Sequence, residues 1–334
     1  MKPPKARIAG KKNLFTVFIV IVVLLAVLVV ILDWHDVRLI LSKADWQFTV
    51  VALAFTVLSY VCLSLSYAWL NRFFGINASW STLSSVGFAS SALNNVLAFM
   101  GAAGHSMRLV LIGRHNSRGE VLAASIFHSY LNNVVMLSIL PISLFWLVVS
   151  KEVAGDTAVS LSLLSGFLFL LVLATTFVLF FVPLRTWLLR VIAKLWHFIT
   201  RRDISKFLTD LGDGLTQGFA RVKGRKLAIV LLLLVGDWGF AAAALYYCFR
   251  GLGGIIGWGA LLSGFGFGIV AGNLSFIPGG LGIQEASMSG IYALLGTPFA
   301  VALLIAILFR VVYDFIPFFA SLAFYQSLLR SRRQ

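Results

Sequence analysis

Acidic residues are scarce in this chain of 334 residues, with 12 Asp and Glu against 27 Lys and Arg, and charged residues of both signs make up only 12% of it. So little charge beside 60% hydrophobic residues, with a mean hydropathy of +0.96, excludes a soluble domain. It leaves an all-α polytopic membrane protein, a single integral membrane domain over residues 1–334. Regular alternation of apolar and polar residues is also missing, which excludes a transmembrane barrel. Cysteine is nearly absent: Cys62 and Cys248 each stand inside an apolar run with no CxxC or metal-ligand spacing. Neither a disulfide framework nor a zinc site is indicated, and both read as small buried hydrophobes. The sequences that carry common enzyme chemistry are lacking too: no Walker A, GxSxG or HExxH, and no paired carboxylates on a soluble domain. Nothing outside the apolar runs is large enough to bind a nucleotide. The expectation is a protein that is not an enzyme, uses no cofactor or metal, and does not pump with ATP within this chain.

What is abundant is basic charge, a formal net +15. Aromatic and basic residues are not interleaved on any soluble module, so nucleic acid is not the expected partner. The basic residues stand at the ends of apolar runs and in one loop, as topology and anionic headgroups require. Apolar runs cover roughly 14–32, 48–70, 121–149, 160–182, 227–250 and 298–328. The first follows a basic N-terminus and is long for a signal peptide, with no small-residue cleavage site after it, so it reads as an uncleaved span. Lys2, Lys5, Arg7, Lys11 and Lys12 place the N-terminus in the cytoplasm, Arg330, Arg332 and Arg333 the C-terminus, and ten Lys and Arg the stretch 183–226. A cell inner membrane is the expected location.

Two further apolar stretches, 83–99 and 256–277, are rich in Gly, Ser and Asn. If 83–99 were one full crossing, the basic 183–226 loop would fall outside. The contradiction disappears if 83–118 enters from the cytoplasm and returns there, and if 256–296 enters and returns from the outer face. The expected architecture is about six full spans plus two re-entrant helical hairpins of opposite orientation; hairpins that cross fully twice would leave the charge pattern unchanged. A gap-free offset of 178 aligns Asn95 with Asn273, Gly101 with Gly279, Gly104 with Gly282 and Ala124 with Ala302, as in a possible inverted repeat, a known transporter plan. Within 183–226, a cytoplasmic basic amphipathic loop, Trp187, Leu188, Val191, Leu195 and Phe198 form one helical stripe and Phe207, Leu208, Leu211, Leu215 and Phe219 a second. Both look like helices on the inner leaflet, or like a charged elbow without a ligand.

The most informative segment is Phe276-Ile277-Pro278-Gly279-Gly280-Leu281-Gly282-Ile283-Gln284-Glu285. Broken backbone at membrane depth survives only inside protein or beside water, and charge there marks function. Glu285 is placed to cap the half-helix after the break, or to bind a cation or proton. Arg310 and Asp314, four apart on one face, pair with each other, or the guanidinium takes a phosphate or carboxylate. The glycines either permit close helix packing or expose N–H groups to an anion. Asn95, Gly104, His105 and Arg108 stand around the first hairpin, His128, Asn132 and Asn133 on the next span, Asn273 before the break, Asp237 inside the run near 227, and Tyr313 and Pro317 on the last span. His105 and His128 read as satisfied polar groups.

Pro278-Gly279-Gly280-Leu281-Gly282-Ile283-Gln284-Glu285 resembles the PGG-[LIV]-G-x-x-E motif of the lysylphosphatidylglycerol synthetase transmembrane-region family. Arg310-x-x-Tyr313-x-x-x-Pro317 resembles that family's last-span pattern, and Gly104-His105-Ser106-Met107-Arg108 its G-E-x-x-R motif with His105 in place of the acid. The resemblance runs from about residue 14 to the end. It implies a region similar to the phospholipid flippase of the bacterial multiple peptide resistance factor, where a separate cytosolic domain makes the aminoacylated lipid; the expectation here is a stand-alone member. The family's acids near His128 to Asn132 are absent, which removes counter-charges for a cationic headgroup and favours an anionic lipid or lipid-linked intermediate. The expected substrate-contacting residues are Arg108, Arg310, Asn95, Asn273, Gly279, Gly280, Gly282, Glu285, Asp314 and Tyr313. Alternatives are a non-catalytic accessory subunit for a glycosyltransferase or lipid-modifying enzyme, and a small-solute transporter; a homo-oligomer or an enzyme partner stays open.

Overall fold

The computed structural model describes residues 34–97, 102–113, 116–149, 155–201, 203–275 and 277–330, and all regular structure among them is helical. The expected first span, the basic N-terminus, Gly101 and the basic pair Arg332 and Arg333 lie outside these residues. α1 (Trp34–Ser42) leads to α2 (Trp46–Phe74), which Asp45 starts by accepting the Gln47 N–H and Gly75 ends in the left-handed conformation. A helix pair follows, α3 (Trp80–Leu97) and α4 (Ala102–Ile112), then the long α5 (Arg118–Val149). α6 (Gly155–Phe180), α7 (Val182–Thr200) and α8 (Ser205–Arg221) form the connection to the second half. That half repeats the plan: α9 (Arg225–Gly251), the pair α10 (Trp258–Leu274) and α11 (Ile283–Leu294), then α12 (Phe299–Arg310) continuing through a wide turn at Val311–Phe315 into α13 (Ile316–Arg330).

Four helical stretches, 46–74, 118–149, 225–251 and 299–324, are long and apolar enough to cross a membrane, and a fifth is added if residues 162–178 and 182–200 are counted together. Their surfaces carry bare apolar groups such as Phe145, Leu163, Leu170 and Leu232, the lipid-facing pattern of a polytopic protein. Between the parts of that fifth stretch the axis turns by 85°. α7 therefore runs across the direction of α6 with Trp187, Leu195 and Phe198 exposed, as an interfacial helix would. The second stripe differs from expectation. Leu208, Leu211 and Leu215 are buried, and Phe219 packs on Phe127 of α5 at 4.5 Å and on Phe180 at 4.7 Å. The apolar face of α8 is covered by protein because Gly119 and Gly214 let α5 and α8 approach closely.

Both expected hairpins are present as antiparallel helix pairs. In the first, the Asn94 carbonyl oxygen Oδ1 accepts the Gly104 N–H and Arg108 Nε donates to Ser90 Oγ. Its open ends are tied where the Asn77 N–H donates to Asn116 Oδ1 at 2.7 Å. In the second, Gly264, Gly268 and Gly272 on α10 lie under Tyr292, Met288 and Gln284 on α11, a stripe of small residues that admits close packing. The short arms α4 and α11 have 11 and 12 residues. Helices of that length reach about 16–18 Å, against a hydrocarbon core of about 30 Å, so neither arm crosses alone.

α2 and α9 form the centre and run antiparallel: Phe48 stacks near Tyr247, Phe55 near Phe240, Cys62 meets Gly236, and Lys226 lies over Phe73. Ser59 and Asp237, separated by 178 positions, hydrogen-bond to each other. Residues equivalent in the repeat thus meet at its centre, as an inverted pair of halves requires. α2 and α9, and α3 and α10, keep the offset near 178 expected from sequence. The arms after the tips do not: Gly104 is placed like Gln284 and not like Gly282, because the second tip carries a few extra residues.

Candidate functional site

The site is built where the second hairpin breaks. Pro278 opens a short 3₁₀ turn, Pro278–Gly280, where its missing N–H costs nothing. Gly279 and Gly282 then take φ of 64° and 85°, a region that disfavours side chains. The turn is clamped on both sides. A Cβ at Gly279 would stand 2.8 Å from the Asn95 carbonyl at the end of α3, and one at Gly280 would stand 2.7 Å from the Gly272 Cα. The tip of the second hairpin therefore rests against the inner end of the first.

Arg310 satisfies the broken backbone. Its Nη2 donates to the Gly279 carbonyl, its Nε to Glu285 Oε1 at 2.5 Å and its Nη1 to Asp314 Oδ2 at 2.7 Å. Glu285 places its other oxygen on the Gly282 N–H at 2.7 Å, so it caps α11 and pairs the arginine together. All three charged side chains are at least nine-tenths buried. Such a triad holds only when its charges are paired, because an unpaired charge here costs several kcal/mol. The wide π turn at Val311–Phe315 is set by Pro317, whose ring would collide with the carbonyl four residues back in a regular helix. It turns Tyr313 toward α2, where its hydroxyl lies 2.9 Å from Ser59 Oγ; Ser59 in turn donates to Asp237. Asn95 donates to the Tyr60 hydroxyl at 3.0 Å and stands beside the Asp314 carboxylate.

Arg310, Glu285, Asp314, Gly279, Gly282, Asn95 and Tyr313 are thus brought into one network, with Gly280 packed behind it. Asn273 is exposed near the end of α10, and among the described residues no hydrogen bond of this network reaches it. Arg108 stands apart, buried, its guanidinium 4.4 Å from the centre of the Tyr67 ring. Tyr67 is two turns along α2 from Tyr60, roughly 10 Å. Sequence reasoning missed Ser59, Tyr60, Tyr67 and Ser90. The available signal was Tyr60, Ser64, Tyr67 and Asn71, which recur at helical spacing on one face of an otherwise apolar helix, and all four are buried. Asp237 was visible as a charge inside a span, but its partners were not. Among the described residues, no group of three or more His, Cys, Asp or Glu side chains is placed to hold a metal ion.

Halves related by inversion, two helix hairpins meeting tip to end, and a buried charged network at the break define a polytopic helical membrane protein. The chain belongs to the lysylphosphatidylglycerol synthase TM region family, whose profile matches residues 15–321. It is similar to the UPF0104 membrane protein PH1989 of Pyrococcus horikoshii, 22% identical over 90% of this chain and 93% of that protein. A UPF0104 membrane protein of Methanothermobacter thermautotrophicus is 28% identical over 37% of this chain and 40% of its own length.

Proposed function

We propose that this protein moves an anionic phospholipid or a lipid-linked intermediate between the leaflets of the cell inner membrane, without itself being an enzyme. Its termini and the 183–226 segment face the cytoplasm in this reading. The observation that carries it is the meeting of two oppositely directed hairpins at a buried network, Arg310 with Glu285, Asp314 and Gly279. A lipid's tails remain in the bilayer, so only the headgroup needs a polar route. The buried polar face of α2, from Tyr60 to Asn71, offers one between the network and the inner end of that helix. Arg310 holds the gate closed in this arrangement, since each of its three nitrogens is engaged by the turn or by a carboxylate. Arg108 has no carboxylate partner among the described residues and is the cation free for a headgroup phosphate. Asn95, Asn273, Tyr313 and the glycines at 279, 280 and 282 line the passage, while Glu285 and Asp314 exchange partners as it opens.

The test is leaflet exchange of fluorescent anionic and zwitterionic lipids in liposomes holding the purified protein. Glu285→Gln keeps an oxygen for the Gly282 N–H but removes the charge facing Arg310, and is expected to slow exchange at least tenfold. Absence of exchange with every lipid, from protein that unfolds cooperatively, would overturn the reading in favour of an accessory membrane subunit.

A further inference from the structure

The two halves share a backbone plan but not a chemistry, and the difference is concentrated around Arg108. In the second hairpin the position matching Arg108 is Met288, which fills the space over Gly268. On the central helices, Tyr67 and Asn71 match Leu245 and Phe249, both fully buried in the apolar core. The fold is therefore satisfied by apolar side chains at these places, and the first half has polar ones for another reason.

Those polar groups satisfy one another only in part. Arg108 Nη1, the Tyr67 hydroxyl, Ser125 Oγ, His105 Nδ1 and Asn71 Oδ1 are all buried without a hydrogen-bond partner. They belong to one cluster: the guanidinium covers the Tyr67 ring, Ser125 and Asn71 stand beside the Tyr67 hydroxyl, and His105 lies within electrostatic reach of Arg108. Arg108 takes no part in the two ion pairs that Arg310 makes at the helix break. A buried guanidinium with one serine oxygen and one ring face is left with an uncompensated charge, and buried polar atoms are ordinarily paired.

We infer that this cluster is a binding site for a phosphate-type oxyanion. The guanidinium supplies charge and a donor, the Tyr67 and Ser125 hydroxyls supply further donors, and Asn71 Oδ1 is left to accept from a hydroxyl on the anion or its headgroup. Inorganic phosphate and a phospholipid headgroup present the same chemistry. The lipid case rests on the proposed transport function; the anion site does not.

The experiment uses the full chain in maltoside micelles, which carry neither charge nor phosphate. Radiolabelled inorganic phosphate is expected to bind saturably, and phosphatidylglycerol to compete. Arg108→Gln should abolish binding. Because that variant risks misfolding, Tyr67→Phe and Ser125→Ala are measured too. Each deletes one buried hydroxyl of the cluster and keeps the rest of the side chain, so each should still unfold cooperatively while weakening binding about tenfold. Phosphate binding without competition by phosphatidylglycerol would support the site with a free anion as its ligand. No saturable binding of either probe to cooperatively unfolding protein, or binding unaffected by both hydroxyl deletions, would overturn it and leave the cluster as a water site. Saturable binding combined with no lipid exchange would sink the transport reading and leave this one standing.

Discussion

Arg310 does three things with three nitrogens, and each has a different consequence when the side chain is removed. The Gly279 carbonyl loses the partner that the helix break requires, Glu285 keeps its cap on Gly282 but loses its counter-charge, and Asp314 is left unpaired. Arg310→Met should therefore destabilise the protein by about 3–5 kcal/mol, the usual cost of breaking a buried ion pair from one side. Adding Glu285→Gln and Asp314→Asn removes both stranded charges and should recover most of that loss. Thermal unfolding in micelles checks the pair of results. If the triple variant is no more stable than Arg310→Met, the charges were not what the arginine was balancing. The i, i+4 pairing with Asp314 was legible in the sequence. The bond to Gly279 was not, because it depends on which carbonyl the Pro-Gly-Gly turn exposes inward.

At the scale of single elements, glycines in successive helices play opposite parts. A Cβ at Gly264 would enter the Tyr292 ring, which is fully buried and anchored through its hydroxyl to the Leu261 carbonyl. Gly264→Ala should cost about 1–3 kcal/mol as an overpacking change. Tyr292→Leu should remove much of the added cost, giving a non-additive double-mutant cycle in unfolding measurements. Gly239 in α9 has nothing within 4 Å of its would-be Cβ, so Gly239→Ala should stabilise that helix by about 0.5–1 kcal/mol. Additive behaviour of the first pair would mean that the glycine stripe does not set the spacing of α10 and α11. Spacing of this kind was half visible beforehand: Gly264, Gly268 and Gly272 recur every four residues, but nothing local says that Tyr292, Met288 and Gln284 fill the gaps. The stripe on α8 shows the same limit. Its periodicity gave the helix and its apolar face correctly, yet periodicity cannot distinguish a leaflet from the flank of α5 as what covers that face.

For the whole molecule, the long spans followed from uninterrupted apolar runs and the hairpins from charge counting. The antiparallel meeting of Ser59 with Asp237 supports the same inverted arrangement from contacts that charge counting never used. The register between halves was only partly legible, since a gap-free comparison cannot register the extra residues in the second tip. Inversion makes a claim about sides that is independent of any substrate. The mouth of the first hairpin, at Ser117, should face the cytoplasm, and the start of the second, at the 86% exposed Ile255, the opposite side. With Cys62 and Cys248 replaced by Ala, single cysteines at Ser117→Cys and Ile255→Cys can be probed with a membrane-impermeant maleimide. Intact cells should label Ile255→Cys and spare Ser117→Cys, and broken membranes should label both. Labelling of both in intact cells would place the hairpin mouths on one side. The halves would then be related without inversion, and the contact between α2 and α9 would need a different explanation.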